Sequence, residues 1–137
     1  MRRLLAVLAI LAAAASTAGT ATAARTAACR STRTDAPGRA LARTAQTTVE
    51  TYATDHEGSY SGLSRRILHE YEPTITVSRT EAEREHEAWL VAVWALQHGE
   101  GYALISRAPN GNDFEIVREP SGNIQRFARL CGRITTW

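Results

Sequence analysis

The chain has no lysine: all 16 of its basic side chains are arginine, set against 14 acids. With its abundant alanine, this points to a GC-rich bacterial coding sequence. It also lacks any apolar run long enough to span a bilayer. The longest, Leu4 to Ala15, falls short of the about 20 residues that a spanning helix needs. The short basic start M-R-R, that apolar run and the A-x-A triplet Ala21, Thr22, Ala23 instead mark residues 1–23 as a secretory signal peptide, with the exported chain starting near Ala24. Arg2 and Arg3 are the basic start that any signal peptide carries. Cys29 is not directly behind the apolar run, as a lipidated cysteine would be.

An excess of one charge is missing too. Cleavage after residue 23 of 137 leaves 114 residues, and the leader takes two of the arginines, so 14 remain against 14 acids. A balanced chain argues against nucleic acid or an anionic membrane as partner, since both want a basic face. The length suits one domain with a single core. Cysteine is scarce: Cys29 and Cys131 are the only two. An even pair in an exported chain implies one bridge, here tying the two ends of the domain together. Closing a loop of about 100 residues constrains the unfolded chain by on the order of 4 to 5 kcal/mol in the entropy model.

What is present is a clear division of periodicity. Residues 24–35 are Arg, Thr, Ser and Ala without an apolar period and read as a flexible lead-in to a domain at 36–137. Asp35 is placed to cap a helix with Pro37 in its first turn. Leu41, Ala45, Val49 and Tyr52 then share one helical face, and Gly58 is placed as the stop. In the loop G-S-Y-S-G-L that follows, Tyr60 reads as an anchor pinning the loop to the helix. Ser64 caps a short helix to about Tyr71, ended by Pro73.

From Thr74 the period becomes two. Strands are predicted at Ile75–Arg79, Trp89–Leu96, Tyr102–Arg107, Asp113–Arg118 and Ile124–Leu130, with H-G-E-G, P-N-G-N and P-S-G-N as turns. Both faces of Trp89–Leu96 are apolar, which predicts a central strand covered on each side. Trp89 and Trp94 have opposite parity on it, so one of them should cover a second surface.

A long helix followed by an antiparallel meander resembles the globular domain of type IV pilins and pseudopilins. The carrying residues are the Ala-rich helix ending V-E-T-Y-A-T-D, the loop G-S-Y-S-G-L, the hairpin G-Y-A-L-I-S-R-A-P-N-G-N-D-F-E-I-V-R, and the S-G-N and late cysteine, over roughly residues 36 to 131. The resemblance implies an N-terminal helix laid on about four antiparallel strands. The chain departs from the family in lacking a prepilin peptidase site, the glutamate near the mature start and the long apolar helix. A free pilin-like domain is the expectation, rather than a filament subunit of the usual route.

Chemistry-bearing residues are few. Glu81, Glu83, Glu85, His86 and Glu87 are types that suit a divalent cation, but they lack H-E-x-x-H spacing, and acids at every second position read as a solvated loop or strand edge. Asn110, Asn112 and Asp113 offer calcium-friendly oxygens, yet Asn-Gly between strands is sufficient as a turn. His56, His69, His86 and His98 are dispersed. Ser59, Ser61 and Ser64 lie in turn regions, and Asp55 and Glu57 flank His56 at a helix end. Trp89, Trp94, Tyr102, Phe114, Phe127 and Trp137 read first as packing.

The reading is a secreted, disulfide-tied α+β domain without enzymatic activity or cofactor, acting through protein or cell-surface contacts. Tyr52, Gly58 and Tyr60 are its structural anchors. A metal-dependent hydrolase centred on His86 and an extracellular inhibitor are the alternatives.

Overall fold

The computed structural model describes residues 34–137. Among them are three α-helices and a five-stranded antiparallel sheet, so the class is α+β. Helix α1 (Ala36–Asp55), α2 (Arg65–Tyr71) and α3 (Arg79–Glu85) precede strands β1 (Trp89–Leu96), β2 (Gly101–Arg107), β3 (Asp113–Arg118), β4 (Ile124–Leu130) and β5 (Arg133–Thr136). The sheet is a plain meander in the order β1-β2-β3-β4-β5.

Helix α1 buries Gly38, Ala42, Ala45, Val49 and Tyr52, successive steps of four or three that put all of them on one face. Its partners are the inward residues Leu90 and Val93 of β1, Tyr102 and Leu104 of β2, Phe114 and Ile116 of β3, and Ala128 of β4. Small residues let the backbone come close: a Cβ on Gly38 would lie 2.7 Å from Phe114 Cδ2, and Ser106 donates from its Oγ to Gly38 O at 2.7 Å. The helix is rich in threonine, which is a modest helix former, and Thr47, Thr48, Thr51 and Thr54 each donate to the carbonyl four residues back. The backbone of α1 lies against β1, β2 and β3, and it reaches β4 through side chains, Arg126 Nη2 donating to Gln46 Oε1 at 3.2 Å.

The end of α1 is built by Glu57 and Gly58, both at positive φ, with Gly58 N–H donating to Ala53 O at 2.8 Å. Ser64 caps α2, accepting from Ile67 N–H. The loop between them is fastened at both ends of Tyr60: its N–H donates to Gly99 O at 2.9 Å, and Tyr52 donates its hydroxyl to Ser61 O at 2.6 Å.

Several expectations need correction. Asp35 does not cap α1 through its side chain; it is buried and bonded elsewhere, and so belongs to the ordered body rather than to a lead-in. No strand forms at 75–79. Ile75 is buried, Thr76 O accepts once from Leu90 N–H, and the chain turns into α3 at Arg79. Glu81, Glu83 and Glu85 are therefore on a helix rather than in a loop or at a strand edge, while His86 and Glu87 lie in the connection to β1. Ser78 accepts from Glu81 N–H, and Arg79 pairs with Glu83 one turn on at 2.7 Å. A fifth strand follows Cys131 and Gly132, where about four were expected.

Strand β1 is an edge of the sheet, not its centre. Its ladder slips between Leu90 and Ala92, leaving Val91 as a bulge. That surplus residue reverses the parity. Trp89 pairs with Arg107 and Trp94 with Ala103, so both tryptophans stand on the face away from α1, while Leu90 and Val93 both point inward.

Gly99 sits at φ +96, and a Cβ there would overlap Ser61 Oγ and stand 2.7 Å from Ser59 Oγ and 3.0 Å from Ser61 N. Gly99→Ala should therefore cost about 2 kcal/mol or more, combining a left-handed penalty of about 1 to 2 with overpacking of about 1 to 3. Gly58→Ala, at φ +83 with nothing within 4 Å, should carry only the left-handed penalty. Urea denaturation of the two variants measures the difference; equal costs would contradict the close approach of the loop to Gly99.

Candidate functional site

At the half-exposed border of the core, one carboxylate gathers four elements. Glu50 on α1 accepts from the Tyr60 hydroxyl at 2.8 Å and from the Tyr102 hydroxyl on β2 at 3.1 Å. Arg118 of β3 stands 4.0 Å from the same carboxylate and over the Tyr60 ring. The two tyrosine rings meet edge to face with centroids 4.9 Å apart. Burial, then the Glu50 carboxylate, pushes the Tyr60 hydroxyl up to about 12, against a smaller lowering by Arg118. Tyr102 is raised by the same causes. Hydroxyls held in their neutral, donating form suit a structural clamp, and both protons are already committed to Glu50. Sequence reasoning singled out Tyr60 and Tyr52 but missed Glu50 and Arg118. Glu50 carried a faint signal, since it lies one position from the apolar face of α1.

A second hub explains Asp35. Asn110 and Asn112, in the turn between β2 and β3, each donate from the side-chain amide to Asp35 Oδ1 at 2.8 Å. Their own oxygens are used as well: Asn110 Oδ1 accepts from Asn112 N–H and Asn112 Oδ1 from Cys131 N–H. Asp113 is in a two-bond pair with Arg107, at 2.6 and 3.0 Å. The three residues considered for calcium thus serve as a fastening between the start of α1, the β2–β3 turn and the β4–β5 turn.

The histidines stay apart. His56 stacks on Tyr52 at 3.9 Å between centroids, His69 Nδ1 bonds Ile75 O, and His98 lies in a short 3-10 turn at Gln97–Gly99. His86 ends α3 in a left-handed conformation and is exposed. It borders a hollow of about 260 Å³ with Arg79, Glu83, Glu87, Trp89 and Arg107. Of these, Glu83 is paired to Arg79, and Arg107 is paired to Asp113 while lying over the Trp89 ring. Among the described residues, no three His, Cys, Asp or Glu side chains are grouped so as to hold a metal ion.

The face of the sheet away from α1 is different in kind. By the register of the strands it carries Trp89 and Trp94 from β1, Ile105 from β2, Val117 from β3, Phe127 from β4 and Ile134 from β5. Trp94 is 38% exposed and Ile134 68%. Ile105, Phe127 and Ile134 line a depression of about 250 Å³ bordered by Asp113, Glu115 and Arg129. Apolar residues ringed by charge are the composition of a contact surface. The sequence hinted at this face through its tryptophans, but the bulge that assembles it was not visible.

Two measurements check the interior. Tyr60 keeps its proton in the folded state to about 12, whereas an unfolded tyrosine loses it near 10. The folded chain then binds more protons than the unfolded one, so stability should hold up to about pH 9 and fall as the pH rises from about 10 towards 12. Tyr60→Phe should make that fall shallower in urea titrations; an unchanged slope would contradict the clamp. Cys131 lies in the β4–β5 turn, while Cys29, its expected partner, is outside the described residues. Unfolded, unreduced exported protein should show no reactive thiol on titration, and two would refute the bridge.

Neither a protein-family model, nor a curated protein, nor a solved structure matches the chain.

Proposed function

We propose that this is a secreted, non-enzymatic, pilin-like protein that acts through protein or cell-surface contacts made by the outer face of its sheet. The observation that carries the reading is the exposed apolar surface from Trp94 to Ile134, with Asp113, Glu115 and Arg129 at its border. Burying such a face against a partner removes apolar area from water, at about 25 cal/mol per Å² before the costs of association. The pilin-like part of the reading is supported by the long helix α1 packed on one face of an antiparallel meander, and by the loop carrying Tyr60 that links them. Secretion rests on the leader-like segment at 1–23. No helix among the described residues is long and apolar enough to cross a membrane, in keeping with a domain that reaches its partner from outside the bilayer.

The experiment places a photo-crosslinking amino acid at position 134 or 94, on the outer face, and at position 47, on the exposed side of α1, in protein exported by its own cells. Positions 134 and 94 should give discrete adducts of one mass, and position 47 none. Adducts absent from the outer face, or equal from all three positions, would overturn the proposal.

A further inference from the structure

Charge is distributed unevenly along a chain whose total is nearly balanced. From Asp55 to Glu100 there are nine acids and four arginines; from Arg118 to Trp137 there are four arginines and one acid, Glu119. The meander turns this sequence asymmetry into a spatial one. Helices α2 and α3 pack beside β1, at one edge of the sheet, while β4 and β5 form the opposite edge. One edge is therefore acidic and the other basic.

The charges available for contact are those without a local counter-charge. At the basic edge, Arg129 and Arg133 are exposed, and Arg126 bonds only the neutral Gln46. At the acidic edge, Glu81 and Glu87 are exposed. Among the described residues, none of these five side chains takes part in an ion pair. Among the described residues, strand β5 also has a neighbour on one side only, leaving its outer backbone row without a strand partner there.

We infer that copies of this chain associate edge to edge, the basic β4–β5 edge of one against the acidic α2–α3 edge of the next. A long polyanion fits less well, because the exported chain sets 14 arginines against 14 acids and offers it no net attraction, whereas a second copy brings both complementary edges. Because the two edges differ, the contact is heterologous and adds further copies rather than stopping at a twofold dimer. It is electrostatic and exposed, hence weakened by salt as the screening length shrinks from about 30 Å at 0.01 M to about 8 Å at 0.15 M. It leaves the apolar residues of the outer face uncovered and shares with the partner contact proposed there only Arg129, at that face's border.

Sedimentation velocity of the exported protein at low and at physiological ionic strength tests this. The weight-average mass should rise with concentration beyond that of a dimer at low salt and return to the monomer value at high salt. Arg129→Glu with Arg133→Glu should abolish the rise, as should Glu81→Arg with Glu87→Arg. Combining all four substitutions restores the original charge sum and exchanges the signs of the two edges, so association should return. Thermal melts identify any variant that fails to fold, and for the charge-pair variants all positions are exposed. A wild-type chain that stays monomeric at low salt, or a folded four-fold variant that does not recover association, would overturn the inference.

Discussion

The carboxylate of Glu50 is the constraint on which the arrangement of the domain depends. It sits on the helix, receives one hydroxyl from the loop and one from β2, and faces a guanidinium from β3. Each partner alone would be a weak surface interaction. Together they fix where the C-terminal half of α1 lies across the strands, because displacing the helix would strip two buried phenols of their acceptor, at about 1 to 3 kcal/mol for each unsatisfied group. At the other end of the helix, Asp35 does the corresponding work with Asn110 and Asn112. Between the two carboxylates the contact is apolar, and small residues set its closeness.

This division of labour explains why the domain offers its chemistry inward. The polar groups with the best geometry are spent on holding elements together: Glu50 on two tyrosines, Asp113 on Arg107, the asparagines on Asp35. What is left to the outside is area and charge. The outer face contributes the first through Trp94, Phe127 and Ile134, and the two edges of the sheet contribute the second. These are the features that the proposed contact over a surface would use.

Much of the fold was legible in local terms. The spacing of Ala45, Val49 and Tyr52 gave the helix, Ser64 and Pro73 bracketed α2, and the turn residues separated the four longer strands. The failures share a cause, which is information held at long range. Asp35 looks like a cap because its bonding partners lie about 75 residues further on. Helix α3 buries only Ala82, so R-T-E-A-E-R-E shows no apolar period; Ser78 followed three residues later by Glu81 was the signal that could have found it. Strand β5 is four exposed residues and has no pattern to read. The anchoring loop was visible in its glycines and Tyr60, but the residue that receives the Tyr60 hydroxyl was not.

The bulge at Val91 sets a reading frame for everything beyond it in β1. A strand tolerates many changes of side chain, yet its two faces are distinguished only by counting, and here the count includes one residue with no partner opposite. Substitution at that position leaves the count intact. If the residue were kept and the ladder ran without the slip, Val93 would turn outward and Trp94 towards α1, where the space is already filled by small side chains and by Phe114. Removing the residue would instead leave Leu90 and Val93 on one face and Trp89 and Trp94 on the other by plain alternation. The bulge thus lets a strand with one residue too many keep the two faces of a strand of ordinary count, and what must be held in place here is the slip in the ladder rather than the side chain that occupies it.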